Sequence, residues 1–255
     1  MGLDVGVIMD WAIKLEDYQK KYGDFIAVHQ LNLEVKAGEI FGFLGPNGAG
    51  KTTTIKMLMG ILTPSKGRGT IYGQDIVTQT VPLKQIIGYL PDDPVFYDYL
   101  RAEEILRFVG NMHGIEEKEL EQKIERWLSD FDLLEARNEF AVKYSTGMKK
   151  KLALGMATIH EPKLLILDEP TAGLDPIASR KLQNWIVEYA KKGNTVFLSS
   201  HLMDMVQKLC DRVAIIHEGR IAAIGTPDEL QEKLSTEGSL EDVFIQIATS
   251  TNDRL

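Results

Sequence analysis

The spacing of hydrophobic residues changes character twice along this chain. At the start it is strand-like. Residues 11–16 alternate loosely, and Leu31-Asn32-Leu33-Glu34-Val35 alternates strictly, as a half-buried strand does. Lys36-Ala37-Gly38 predicts a turn, and residues 39–44 form a short apolar run ending at a glycine-rich loop. Residues 52–60 then place Ile55, Leu58 and Met59 on one side of a helix. The middle is helical. Residues 101–113 repeat apolar positions at Ile105, Leu106, Val109 and Met112, and residues 116–131 do so at Ile124, Trp127, Leu128 and Phe131. Charges fill the other faces and predict solvated surfaces, so residues 90–140 read as a helical insert.

From Ser145 onward helices and strands alternate. Residues 148–159 predict a helix, and Leu164-Leu165-Ile166-Leu167 a buried strand. Residues 177–191 predict a helix with Pro176 in its first turn and Asp175 as its cap. Residues 195–198 predict another buried strand, and short β-like runs follow at 213–217 and 221–224. Thr226-Pro227-Asp228-Glu229 has the form of a capping box opening a helix, and Ser239-Leu240-Glu241-Asp242 opens a last one. There is no internal repeat or low-complexity tract. The fold class is α/β.

Composition narrows the picture. The 255 residues are 44% hydrophobic and 26% charged, ordinary for a globular protein. The net charge of -8 argues against nucleic acid as the main partner, because such binding relies on a basic surface. Cys210 is the sole cysteine, so no internal disulfide forms. Its spacing with Met203, Val206 and Leu209 suits one apolar helix face and a buried, inert thiol. No apolar run approaches the roughly 18 residues of a membrane span. Residues 1–10 do not read as a secretory signal, and the chain reads as soluble and intracellular.

Two motifs carry the chemistry. Gly45-Pro46-Asn47-Gly48-Ala49-Gly50-Lys51-Thr52-Thr53 has P-loop spacing between an apolar strand and a helix. Its backbone N–H groups and the helix N-terminus are suited to phosphate. Lys51 reaches the β- and γ-phosphates, and the Thr52 hydroxyl binds Mg²⁺. Downstream, the apolar run 164–167 presents Asp168 and Glu169 at a strand's C-terminal edge, where ligands bind in open α/β sheets. Asp168 is the candidate Mg²⁺ carboxylate. Glu169 is placed to polarise an attacking water, which favours hydrolysis of a nucleoside triphosphate over transfer to an acceptor.

Together these residues resemble the ATP-binding cassette (ABC) ATPases, the nucleotide-binding subunits of ABC transporters, over residues 11–225. Residues 45–53 resemble the Walker A motif and residues 164–169 Walker B. Tyr144-Ser145-Thr146-Gly147-Met148 stands at the family signature, Ala172-Gly173-Leu174-Asp175 at the D-loop, and His201 at the switch histidine. Tyr22, before Gly23, matches the ring that stacks on adenine; Tyr18 is a nearby alternative. Asp92 stands where the family has its Q-loop glutamine, and it offers an oxygen to Mg²⁺ or water with shorter reach. Thr146 and Met148 replace a glycine and the glutamine of the usual signature. The form Tyr-Ser-x-Gly-Met, and Ser239-Leu240-Glu241-Asp242-Val243-Phe244 near the end, resemble the drug, antibiotic and lipid exporter branch.

The resemblance implies a P-loop NTPase of the ABC ATPase fold, with a RecA-like core, an N-terminal antiparallel β subdomain and an α-helical subdomain over about 90–160. Residues 226–255 become a short C-terminal helical extension. It implies ATP and Mg²⁺ as cofactors, with His201 on the γ-phosphate. It also implies a second ABC ATPase subunit, whose Ser145, Thr146, Gly147 and Met148 face the opposite ATP. Transmembrane permease subunits are implied as separate chains, and with them a cytoplasmic location on the inner face of the cell membrane. Two other readings stand at this point. One is a soluble ABC ATPase of translation or DNA repair, against which the single cassette and short insert weigh. The other is a binding-only regulator, against which Lys51, Asp168, Glu169 and His201 weigh.

Overall fold

The computed structural model describes residues 11–234. The expectations for residues 1–10 and for the helix at 239–244 lie outside them. In chain order the strands are β1 (Trp11–Tyr22), β2 (Phe25–Lys36), β3 (Ile40–Leu44), β4 (Lys66–Ile71), β5 (Gln74–Asp75), β6 (Ile87–Leu90), β7 (Leu164–Asp168), β8 (Thr195–Ser200), β9 (Arg212–His217) and β10 (Arg220–Gly225). The helices are α1 (Lys51–Leu58), α2 (Thr80–Ile86), α3 (Ala102–Met112), α4 (Glu117–Asp130), α5 (Thr146–Thr158), α6 (Pro176–Lys191), α7 (Met203–Leu209) and α8 (Pro227–Leu234).

A six-stranded sheet in the order β10-β9-β3-β8-β7-β6 forms the centre. Its strands β9, β3, β8, β7 and β6 pair in parallel, and β10 closes the edge antiparallel. Every residue of β3, β7 and β8 is buried. Such strands have no solvent face, which is why their sequences are continuous apolar runs. The period of two still sorts the side chains. Phe41, Phe43, Leu164, Ile166 and Phe197 face α1 and the second sheet. Ile40, Leu44, Leu165, Leu167, Val196 and Leu198 face the other way, into a core shared with α3, α4, α5 and α6. The second sheet is antiparallel and four-stranded, in the order β2-β1-β4-β5.

Helix boundaries follow local capping. Ser145 accepts from the Met148 N–H at 3.3 Å, so α5 starts two residues before the apolar pattern alone indicates. Asp175 accepts from the N–H groups of Ile177 and Ala178, each at 2.9 Å, at the start of α6. The capping box at α8 is reciprocal: Glu229 N–H to Thr226 Oγ1 at 3.1 Å, and Thr226 N–H to Glu229 Oε2 at 3.0 Å.

The structure departs from the sequence pattern in three places. Strand β1 runs on to Tyr22, beyond the alternation, because the pairing shifts between Leu15 and Tyr18 around Asp17 at φ 49. A bulge of this kind resets which side chains point inward. Strand β4 carries no readable signal, since Lys66-Gly67-Arg68-Gly69 has neither alternation nor apolar content; it is recruited by pairing with β1. Cys210 lies just past α7 with extended backbone, and Met205 rather than Met203 is the buried methionine there. The thiol is buried, and burial pushes its pKa up.

One contact between the helices and the sheet is titratable. The rings of His113, at the end of α3, and His160, just past α5, stack 3.8 Å apart. His160 Nε2 lies 3.2 Å from the Ile87 carbonyl at the start of β6. Burial, then the His113 neighbour, lowers the His160 pKa from 6.5 to about 4. The fold therefore favours neutral His160, and its contribution is intact above pH 6.5 and is lost as pH falls toward about 4. Urea unfolding should show wild type losing stability relative to His160→Gln across that interval; parallel pH profiles would contradict this.

Candidate functional site

Parallel register brings three loops to one edge. Leu44 pairs with Ser200, and Asp168 pairs with Ser199, so β3, β7 and β8 end side by side. The glycine-rich loop, the Asp168-Glu169 step and the Ser199-Ser200-His201 step therefore emerge together.

The loop between β3 and α1 needs its glycines for space as well as for conformation. A Cβ at Gly45 would sit 2.5 Å from the Ile216 carbonyl, and Gly50 adopts φ 105 with the Ala27 carbonyl 2.8 Å from any added Cβ. Lys51 is buried, and its ammonium donates to the carbonyls of Gly45 at 2.6 Å and Pro46 at 3.2 Å. Burial lowers the Lys51 pKa, opposed first by Glu169 and then by Asp168. The Thr52 hydroxyl faces Asp168 Oδ2 at 3.4 Å, while Ser199 Oγ donates to Asp168 Oδ1 at 2.5 Å. Burial raises the Asp168 pKa, and the Ser199 bond opposes it.

Glu169 is held from several directions. Its backbone is left-handed at φ 46, a conformation that a glutamate keeps only where its surroundings enforce it. Its N–H donates to the Ser199 carbonyl at 3.0 Å. Its carboxylate accepts from Ser200 Oγ at 3.1 Å and lies 2.9 Å from His201 Nδ1 and 3.9 Å from Lys51 Nζ. The structure thus brings His201, Glu169 and Lys51 into one cluster.

The remaining predicted residues are distributed around this edge. Tyr22 ends β1 with 46% of its surface exposed, in the hairpin whose second strand touches the loop through Ala27 and Gly50, whereas Tyr18 is fully buried. Asp92 is engaged by Lys150, whose ammonium lies 3.4 Å from its Oδ1 and 3.2 Å from its carbonyl. Ser145, Thr146, Gly147 and Met148 lie at the outer end of α5, with Gly147 close to Leu174. Among the described residues, no hydrogen bond or ion pair joins them to residues 45–53. Asp175 caps α6. Lys150, Ser199 and Ser200 make contacts here that no sequence motif assigns to them. The signal for the serines was present: two hydroxyls closing an apolar strand that is buried throughout.

The hydroxyl of Ser200 serves two partners, since it also accepts from the Leu202 N–H at 3.0 Å. Ser200→Ala removes both bonds inside the fold. Chemical denaturation should register a loss of about 1–3 kcal/mol, and an unchanged midpoint would count against these contacts.

The sequence pattern of the ABC transporter family matches residues 28–172. Among curated relatives, the chain is 37% identical over 239 residues to "Probable multidrug ABC transporter ATP-binding protein YbhF" of Escherichia coli (strain K12), covering 92% of this chain and 41% of that protein. It is 41% identical over 214 residues to "Bacitracin transport ATP-binding protein BcrA" of Bacillus licheniformis, covering 84% of this chain and 69% of that one. Among solved structures, one described as an ATP binding subunit of an ABC transporter superposes with a TM-score of 0.87 at 32% identity, covering 93% of this chain and 99% of its own. The described residues contain no helix long and apolar enough to cross a membrane. With this architecture and this match, the chain belongs to the ABC transporter family, whose ATP-binding domains hydrolyse ATP.

Proposed function

We propose that this chain is the ATP-hydrolysing subunit that powers an exporter of drugs or antibiotics through separate permease chains. The observation that carries the hydrolytic part is the Glu169 carboxylate, fixed by Ser200, His201 and Lys51 at the edge where the phosphate loop opens. In this reading residues 45–53 bind the phosphates, and Lys51 neutralises the β- and γ-oxygens. Tyr22 supports the adenine ring. Glu169 orients and polarises the attacking water. His201 shares a proton contact with Glu169 and faces the γ-phosphate.

A Mg²⁺ ion fits beside these groups. Thr52 Oγ1 and Asp168 Oδ2 are hard oxygen donors facing each other at 3.4 Å, and Mg²⁺ typically uses one or two carboxylates together with substrate phosphates. When bound, it neutralises charge developing on the phosphate oxygens. Asp92 faces Lys150 and contributes through that pair.

We read residues 11–225 as the ATPase domain, 90–160 as its helical subdomain and 226–255 as an extension. The exposed start of α5 at Ser145–Met148, with Asp175 beside it, suits a second cassette that completes the site across an interface. Next to Asp92 a patch of large apolar side chains faces outward, including Val95 at 85% exposure and Tyr99 at 78%, with Tyr97, Phe108 and Met112. Apolar patches of this kind mark docking surfaces, and we assign this one to the permease. In this reading the subunit works in the cytoplasm, on the inner face of the membrane. The exporter reading draws on the relatives' named roles in multidrug and bacitracin transport, which do not favour a soluble translation or repair factor.

Glu169→Gln should lower ATP turnover by about 10²- to 10⁴-fold while preserving ATP binding. It should also trap a dimer at saturating Mg-ATP, read by size-exclusion chromatography; wild-type turnover would sink the assignment. Tyr97→Asp with Tyr99→Asp should abolish co-purification of a multi-span protein from native membranes. Recovery of ribosomes or DNA with the wild-type chain would instead reject the transporter reading.

A further inference from the structure

One buried cation is not used by the chemistry described so far. Lys150 lies in the second turn of α5, the helix that Ser145 caps, and its side chain is only 3% exposed. Its ammonium is surrounded by main chain: the Glu169 carbonyl at 2.6 Å, the Asp92 carbonyl at 3.2 Å and the Ala172 carbonyl at 3.3 Å, with Asp92 Oδ1 at 3.4 Å. Three N–H donors thus serve four oxygens from three segments: the turn after β6, the end of β7 and the turn leading into α6.

Burying an ammonium is unfavourable unless its hydrogen bonds are made, and an apolar residue would pack the same space without that penalty. The location of the acceptors supplies a reason for keeping the charge. The tightest contact is to the carbonyl of Glu169, the residue held at φ 46. That carbonyl also accepts from the Ala172 N–H at 3.1 Å, so the strained step is closed by a turn on one side and by the ammonium on the other. From the opposite end, Ser199, Ser200 and His201 hold the N–H and the carboxylate. Lys150 ties the main chain of this residue to α5, whereas Lys51, at the start of α1, approaches only its carboxylate.

We propose that Lys150 is a positioning residue for ATP hydrolysis: by clamping the main-chain carbonyl of Glu169 it fixes the carboxylate's aim, and it couples that aim to the seating of α5 and of the Asp92 segment. This inference rests on Glu169 acting on the attacking water. It separates Lys150 from Lys51: Lys51 meets the nucleotide, whereas Lys150 acts through Glu169 and should leave ATP binding alone.

The test is steady-state ATP hydrolysis by the full chain as wild type, Lys150→Met, Lys150→Gln and Glu169→Gln, with folding checked by far-UV circular dichroism and thermal melting. Lys150→Met keeps the side chain's length and removes the charge. A folded Lys150→Met should lose about tenfold to 100-fold in kcat with its KM for ATP within about twofold of wild type. Lys150→Gln, neutral but still a donor, should show the same split and carries the test if the methionine variant does not fold. Wild-type kcat in a folded Lys150 variant, or a raised KM with kcat unchanged, overturns the inference. Failure of both variants to fold overturns it too, in favour of a purely structural role. Glu169→Gln separates the two levels. If it hydrolyses ATP at the wild-type rate, the reading of Glu169 itself fails; if it is inactive while Lys150 variants keep full kcat, only the Lys150 inference fails.

Discussion

The parallel register of β3, β8 and β7 is the constraint on which the rest of the structure depends. Leu44 opposite Ser200 and Ser199 opposite Asp168 leave no freedom in which loops become neighbours. A slip of one residue would turn Phe41, Phe43 and Phe197 away from the core they share and carry Asp168 away from Thr52. Burial on both faces therefore enforces the same alignment that the site needs. The stacked pair Phe41–Phe197 and the tilted pair Phe43–Phe197, at 5.9 and 5.4 Å, lie within that alignment.

The electrostatics of the site run against those of the chain. The molecule carries a formal charge of -8, yet two ammonium groups are buried next to its central carboxylates. Both lysines are pushed toward the neutral form by burial and back toward the charged form by acids, Glu169 first for Lys51 and Asp92 first for Lys150. Buried charges of this kind are tolerable because oxygens surround them. The arrangement pairs each buried ammonium with carboxylates and carbonyls at one edge of the sheet.

The helical region serves the sheet in two ways. Trp127, Phe131, Trp185 and Tyr189 form a continuous aromatic cluster of stacked and edge-on pairs between α4 and α6, with centroids from 4.1 to 5.9 Å apart, and Trp127 lies against Gly155 of α5. The same region turns Val95, Tyr97 and Tyr99 outward beside Asp92. One segment thus joins an aromatic inner face to an apolar outer face, and Asp92, in the same segment, meets Lys150.

Much of this was legible from the residues alone. The loop at 45–53, the Asp168-Glu169 step and the caps at Ser145, Asp175 and Thr226 are local patterns, and local patterns declare their conformation through short-range hydrogen bonds and backbone sterics. The apolar runs 164–167 and 196–198 declared burial because the middle of a strand covered on both faces has no solvent side for a polar group. What the chain could not announce depends on residues far apart in sequence. Strand β4 exists because β1 offers it an edge, and Tyr18 is removed from contention with Tyr22 by a bulge at Asp17. That Asp92 stands beside Lys150, 58 residues away in sequence, is set by the fold alone. Ser200 and Lys150 read as ordinary polar positions until folding set one on the carboxylate and the other on the carbonyl of Glu169. The sequence by itself determined that Lys51, Thr52, Asp168, Glu169 and His201 sit in or beside local motifs. Only tertiary packing decided which of them hold Glu169 in place, because that choice is made by distances across strands and helices that no local pattern encodes.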